Sequence, residues 1–149
     1  MRSERGQAFM ILQLITSFIA AAAFCILFNA PGRALLQCGF AGMVGWILYL
    51  QLDERWDTVI ATFLATVVVG VISQIFARSF KMPVIIFSVG GIIPLVPGGL
   101  AYDAMRRFVE NDNNQAIQFA VQALLLSGAI ATGLVLSEVL GQIFRRKKA

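Results

Sequence analysis

Tyr102 and Asp103 stand directly behind an interrupted apolar run, and polar groups in that setting suit binding a small ion or carrying a proton. The run, Pro83 to Met105, is 23 residues long, enough to cross a hydrocarbon core that takes about 20 helical residues. It cannot be one smooth helix. Pro94 and Pro97 supply no backbone N–H and clash with the preceding turn, while Gly90, Gly91, Gly98 and Gly99 loosen the chain around them. Unpaired backbone groups are costly in lipid, so such a break persists only beside protein or a wet cavity. Freed helix ends then offer oriented N–H and C=O groups to small ions, as in many transporters. Asp103 has two readings. A carboxyl at membrane depth is disfavoured when charged and becomes a candidate proton carrier, whereas at a helix end it caps the helix or pairs with Arg106 or Arg107. The break has a plain reading too, as a kink of the kind membrane helices tolerate.

The rest of the composition narrows the chemistry. Of 149 residues 58% are hydrophobic and 13% charged, where soluble domains run at about a quarter charged. The expectation is one integral membrane domain over 1–149, all-α, a polytopic bundle of about five spans. Twelve Lys and Arg against eight Asp and Glu give +4, and the excess at the chain's end argues for orientation rather than nucleic-acid binding. Cys25 and Cys38 lie in apolar stretches without CxxC spacing, and there is no histidine. Both cysteines read as packing residues, no metal or cofactor is expected, and Ser-His and Cys-His catalysis are excluded. No P-loop motif is present either.

The spans are expected at about 8–28, 34–50, 58–77, 83–105 and 116–144. The first is too long an apolar core for a signal peptide and is kept as a mature span, with Gln13, Thr16, Ser17 and Ala20 on a protein-facing side. A stop and restart at Asn29-Ala-Pro-Gly-Arg33 leads to the second span, where Trp46, Tyr49 and Trp56 look like an aromatic belt. In the third, Thr58, Thr62, Thr66, Gly70 and Gln74 recur every four residues, a stripe that lets helices approach and hydroxyls bond across. Gln115, Gln118 and Gln122 open the last span, which overshoots the bilayer. Glu138 is expected near its exit, ahead of the basic tail Arg145 to Lys148, which belongs in the cytoplasm. Basic residues divide seven to five whether 83–105 crosses or folds back. The length of the fourth segment favours five crossings.

FNAPGRALLQCG at Phe28 to Gly39 and GIIPLVPGGLAY at Gly91 to Tyr102 resemble the small subunit of the threonine/serine exporter family, over nearly the whole chain. Pro94, Pro97, Gly98 and Tyr102 match that family's proline-glycine motif, and Asn29, Pro31 and Arg33 its first-turn pattern. Gly99 and Asp103 are added on physical grounds. The resemblance implies export of small carboxylate-bearing metabolites across a bacterial cytoplasmic (inner) membrane: hydroxy amino acids by the family's name, or dicarboxylates in the split branch. It also implies a larger membrane partner in a heteromeric complex, and no enzyme activity.

On this reading the break from Ile93 to Gly99 lines a cavity in mid-membrane. Freed N–H groups hold a substrate carboxylate, Tyr102 with Gln118 or Gln122 completes its hydrogen bonds, and Asp103 carries the coupling proton. Asn29, Arg33 and Glu138 are secondary candidates, the last two as interfacial pairs. Two rivals stand beside it. A noncatalytic helper would only stabilise the larger partner. An intramembrane aspartyl protease, suggested by the Tyr102-Asp103 pair, needs a second aspartate on another span, and none is present unless a partner donates it.

Overall fold

The computed structural model describes the backbone of residues 2–146 and the side chains of residues 9–143, and within these limits the chain is helical without strands. The basic tail Arg145 to Lys148 lies outside the described side chains. Six α-helices follow in order: α1 Arg2–Leu27, α2 Leu35–Asp53, α3 Thr58–Phe80, α4 Val84–Ile92, α5 Gly98–Val109 and α6 Asn113–Arg146. Two 3-10 turns join them, Gly32–Ala34 before α2 and Ile93–Leu95 after α4. In α3, Val, Ile and Thr form a continuous helix although they are indifferent helix formers in water. An apolar environment leaves their backbone groups no partner but one another.

Three helices end in the same way. Asn29, Lys81 and Asn111 have positive φ, and the next residue's N–H reaches back five positions, Ala30 to Cys25 O at 2.9 Å, Met82 to Ala77 O at 3.1 Å and Asp112 to Arg107 O at 3.0 Å. This is the left-handed stop that satisfies a helix's last carbonyls. At Asn29 it accounts for the turn preceding Arg33, and both side chains are exposed.

Among the described residues four helices are long and apolar enough to cross a membrane, and α4 with α5 forms a fifth candidate span bent by 52°. The packing register shows the path of that pair. Gly133 meets Thr66 of α3, Ser137 meets Gly70 and Gly141 meets Gln74, a constant offset of 67 residues. So α3 and α6 run parallel, and the segment between them must traverse the bundle once rather than fold back. A bend of 52° agrees with that path.

The small stripe of α3 meets α6 at Thr66, Gly70 and Gln74, and Thr62, Thr66 and Gly70 of the stripe are buried, as is Ser73 beside it. Its hydroxyls do not bond across helices as expected. Thr62, Thr66 and Ser73 each donate to the carbonyl four residues earlier, at 2.7 to 2.8 Å. Back-bonding leaves the helix surface smooth and without unmet donors. The cross-helix bonds come from longer side chains, Gln74 Nε2 to Ser137 O and Arg78 Nη2 to Gly141 O. On α1, Ser17 is buried but Thr16 is exposed, bonded to Leu12 O and Gln13 O of its own helix.

Candidate functional site

The break in the fourth span is a sequence of local necessities. α4 ends at Ile92, because Pro94 offers no N–H to continue its ladder. One 3-10 turn follows, Val96 is extended, and Pro97 caps α5 with φ −77° and ψ 51°. Val96 N–H donates to Ile93 O at 3.3 Å and Gly98 N–H to Val96 O at 2.8 Å. Ala101 N–H resumes the helical pattern by donating to Pro97 O. Among the described hydrogen bonds none uses the N–H groups of Gly99 and Leu100, the orphan donors of the first turn of α5.

The break lies at mid-height. Pro94 packs on Gly42, near the middle of α2, and a methyl built on Gly42 would sit 3.3 Å from the proline ring. One turn earlier, methyls on Gly90 and Gly91 would lie 2.5 Å from Cys25 Sγ and 2.7 Å from Val69 Cγ1. Val69 is the central residue of α3. Gly98 and Gly99 differ: methyls there would meet nothing within 4 Å, and neither residue has positive φ. Close packing and backbone strain within this chain therefore give no reason for the second glycine pair, which borders open space.

The other proposed site residues are only partly assembled around this space. Ile93, Pro94 and Pro97 are half-buried at the break. Tyr102 is 68% exposed and Asp103 half-buried, further along α5 toward the Thr58 end of the bundle. Asp103 joins none of the described ion pairs. Arg106 and Arg107 both bind Glu110 instead, at 3.0 and 3.4 Å. A tight turn folds α5 back along the first part of α6, where Asp112 Oδ1 accepts from Gln115 N–H at 3.3 Å. On α6 the buried and half-buried row is Ala116, Ala120 and Ala123, whereas Gln118 and Gln122 are exposed on the opposite side. The structure thus does not gather the two glutamines with Tyr102.

Two side chains take unexpected places. Trp46, expected in an aromatic belt with Tyr49, packs with the cluster Ala65, Val69, Leu95 and Ile130 at the break, its ring 5.3 Å from that of Tyr49. Its indole N–H is buried without a hydrogen-bond partner among the described residues. Trp56 is exposed between α2 and α3, as a belt residue would be. Glu138, expected near an exit, follows Ser137, which meets Gly70 next to the centre of α3. The carboxyl is therefore at mid-height and exposed. Hydropathy alone could not place it, because the depth follows from the α3–α6 register. The Trp46 signal was its spacing from the glycines of α2, which place it level with the break.

The model of the family described as Threonine/Serine exporter, ThrE, matches residues 13–140. An uncharacterized protein of Haemophilus influenzae is 30% identical over 148 residues, covering 93% of this chain and 49% of that protein. A threonine/serine exporter of Corynebacterium glutamicum is 26% identical over 134 residues, 90% of this chain and 27% of the relative. The chain thus spans about half the length of the first and about a quarter of the second. No solved structure matches.

Proposed function

Because the chain belongs to the threonine/serine exporter family, we propose that it is one part of a secondary exporter that moves small carboxylate-bearing metabolites out of the cytoplasm. The substrates on this reading are threonine- or serine-like amino acids or small dicarboxylates, with efflux coupled to protons across a bacterial cytoplasmic membrane. A larger membrane subunit completes the pathway. Its counterpart is the portion of the relatives that this chain does not cover.

One observation supports the reading most: the unused Gly99 and Leu100 N–H groups open a helix at the break, where Gly98 and Gly99 leave room beside them. A dehydrated carboxylate needs such donors, since burial without them is prohibitive. Tyr102 adds a hydroxyl one turn on, and the buried Trp46 indole N–H is a further donor at the break. Gln118 and Gln122 contribute only where the partner turns their exposed side toward the pathway. Asp103, half-buried and outside the Glu110 ion pairs, is the proposed proton carrier.

The test is efflux of radiolabelled threonine, serine and succinate from proteoliposomes holding the chain with its larger subunit under an imposed proton gradient. Asp103→Asn is expected to abolish the dependence on the gradient while leaving exchange of substrate for substrate. Unchanged gradient-driven efflux in this variant removes Asp103 from coupling, and no transport by the wild-type complex removes the exporter reading itself.

A further inference from the structure

On one outward side of α6, small and polar residues that do not suit lipid stand among the exposed Leu124 and Val135. Ser127, Gly128, Ala131, Glu138 and Gln142 are all exposed, and their spacing puts them within one side of the helix, turned away from the α3 contact made by Gly133 and Ser137. A methyl built on Gly128 would meet nothing within 4 Å. Small residues of this type let another helix approach closely, whereas lipid-facing positions ask only for apolar bulk. Glu138 is the decisive member. Its neighbour Ser137 packs on Gly70 beside the midpoint of α3, so an exposed carboxyl lies halfway across the bundle. Among the described residues no cation pairs with it. Ionisable groups at such depth face protein or water, and they pair.

We propose that this side of α6 is the docking surface for a membrane-spanning helix of the larger subunit, and that the helix brings an arginine or lysine to Glu138. The proposal rests on the exporter reading above, which requires a partner. Charge complementarity selects the occupant: a second copy of this chain, packed face to face, would set Glu138 against Glu138, and lipid supplies no cation at mid-depth. The relatives continue beyond the matched region for about half or more of their length, which leaves room for such a helix.

The experiment places a benzophenone amino acid at Ala131 of the full chain in native membranes, with Ile19 on α1, also exposed, as the comparison position. After irradiation the cross-linked peptides are identified by mass spectrometry. The expected product at Ala131 is a peptide from an apolar span of another membrane segment that carries Arg or Lys within it. Its yield should fall about tenfold or more in Glu138→Lys and several-fold in Glu138→Gln, as expected for a buried ion pair broken on one side. The amount of chain in the membrane should not change. Glu138→Gln keeps the size of the side chain, so the test survives if the lysine variant fails to insert. Lipid adducts alone, a peptide of this same chain, a partner span without a cation, or yields indifferent to both variants would each overturn the proposal. Efflux in proteoliposomes separates the two readings. Transport with lipid-only adducts at Ala131 rejects this surface and keeps the exporter, whereas the expected cross-link without transport does the reverse.

Discussion

The two halves of the broken span have opposite surroundings. α4 is wedged among α1, α2 and α3, with Phe87 fully buried and Gly90 and Gly91 pressed against Cys25, Cys38, Ala41 and Val69. α5 leans chiefly on α6, and Tyr102, Met105, Phe108 and Val109 are each 65% or more exposed on its outer side. Both halves hold a glycine pair, and the pairs do different work. In α4 the missing side chains permit close packing, while in α5 they leave space empty. The difference teaches that a proline-glycine motif is two devices joined: an anchor that fixes where the helix stops, and a free helix start that a ligand can reach.

The largest expected effect attacks the anchor. Gly91→Val would force a branched side chain into Val69 and Ala41, where even a single carbon comes within 2.7 and 3.1 Å. Overpacking of this kind costs about 3 kcal/mol or more when a helix backbone must shift. The measurement is thermal unfolding of the detergent-solubilised protein, and little or no folded material is expected. A stable Gly91→Val would mean that α4 is as loosely held as α5, and the contrast would disappear.

Gly98→Leu is the opposite case. Space is available for the side chain, so stability should stay within about 0.5 kcal/mol of the wild type, as for substitutions that meet no special feature. Efflux should be lost, because the new side chain occupies the room next to the Gly99 and Leu100 donors. If Gly98→Leu instead unfolds the protein while efflux per folded molecule is retained, the second glycine pair is structural after all.

Much of this contrast was legible in the residues and part of it was not. Proline and glycine dictate breaks through covalent geometry, so the interruption between Ile92 and Gly98 follows from the chain alone. The all-helical bundle follows as directly from apolar runs of spanning length. What the runs do not encode is depth and facing. Glu138 looks like an exit residue because it precedes a basic tail, but the offset of 67 residues between α3 and α6 sets it at mid-height. Gln118 and Gln122 fall on one side of α6 by spacing, yet only the fold of α5 onto the Ala116 row shows which side that is. Trp46 looked like a belt residue because periodicity carries no information on how far α2 is sunk into the cluster around Leu95.

Trp46→Phe gives an intermediate effect and sharpens the boundary between anchor and free start. The indole N–H is buried with no partner among the described residues, so removing it leaves no acceptor unsatisfied, and only the smaller ring's lost packing in the Leu95 cluster should lower the thermal midpoint, by about 1 kcal/mol of stability. If that N–H serves the substrate carboxylate, efflux should fall about tenfold, the scale of one hydrogen bond to a charged group. An unchanged rate beside that small loss of stability would confine Trp46 to packing and limit the pathway to α5.

The smallest expected effect concerns the far end of α5. Glu110 accepts from both Arg106 and Arg107, and all three side chains are well exposed, at 38 to 56%. Exposed pairs three and four residues apart on a helix gain little, because water and salt screen the attraction and long side chains lose freedom to hold it. Glu110→Gln should therefore leave the thermal midpoint unmoved. The buried residue of α5 is Ala104, and the helix packs chiefly on α6. A clear loss of stability in Glu110→Gln would show that the ion pairs pin α5 down. The free start would then be as firmly fixed as the anchor.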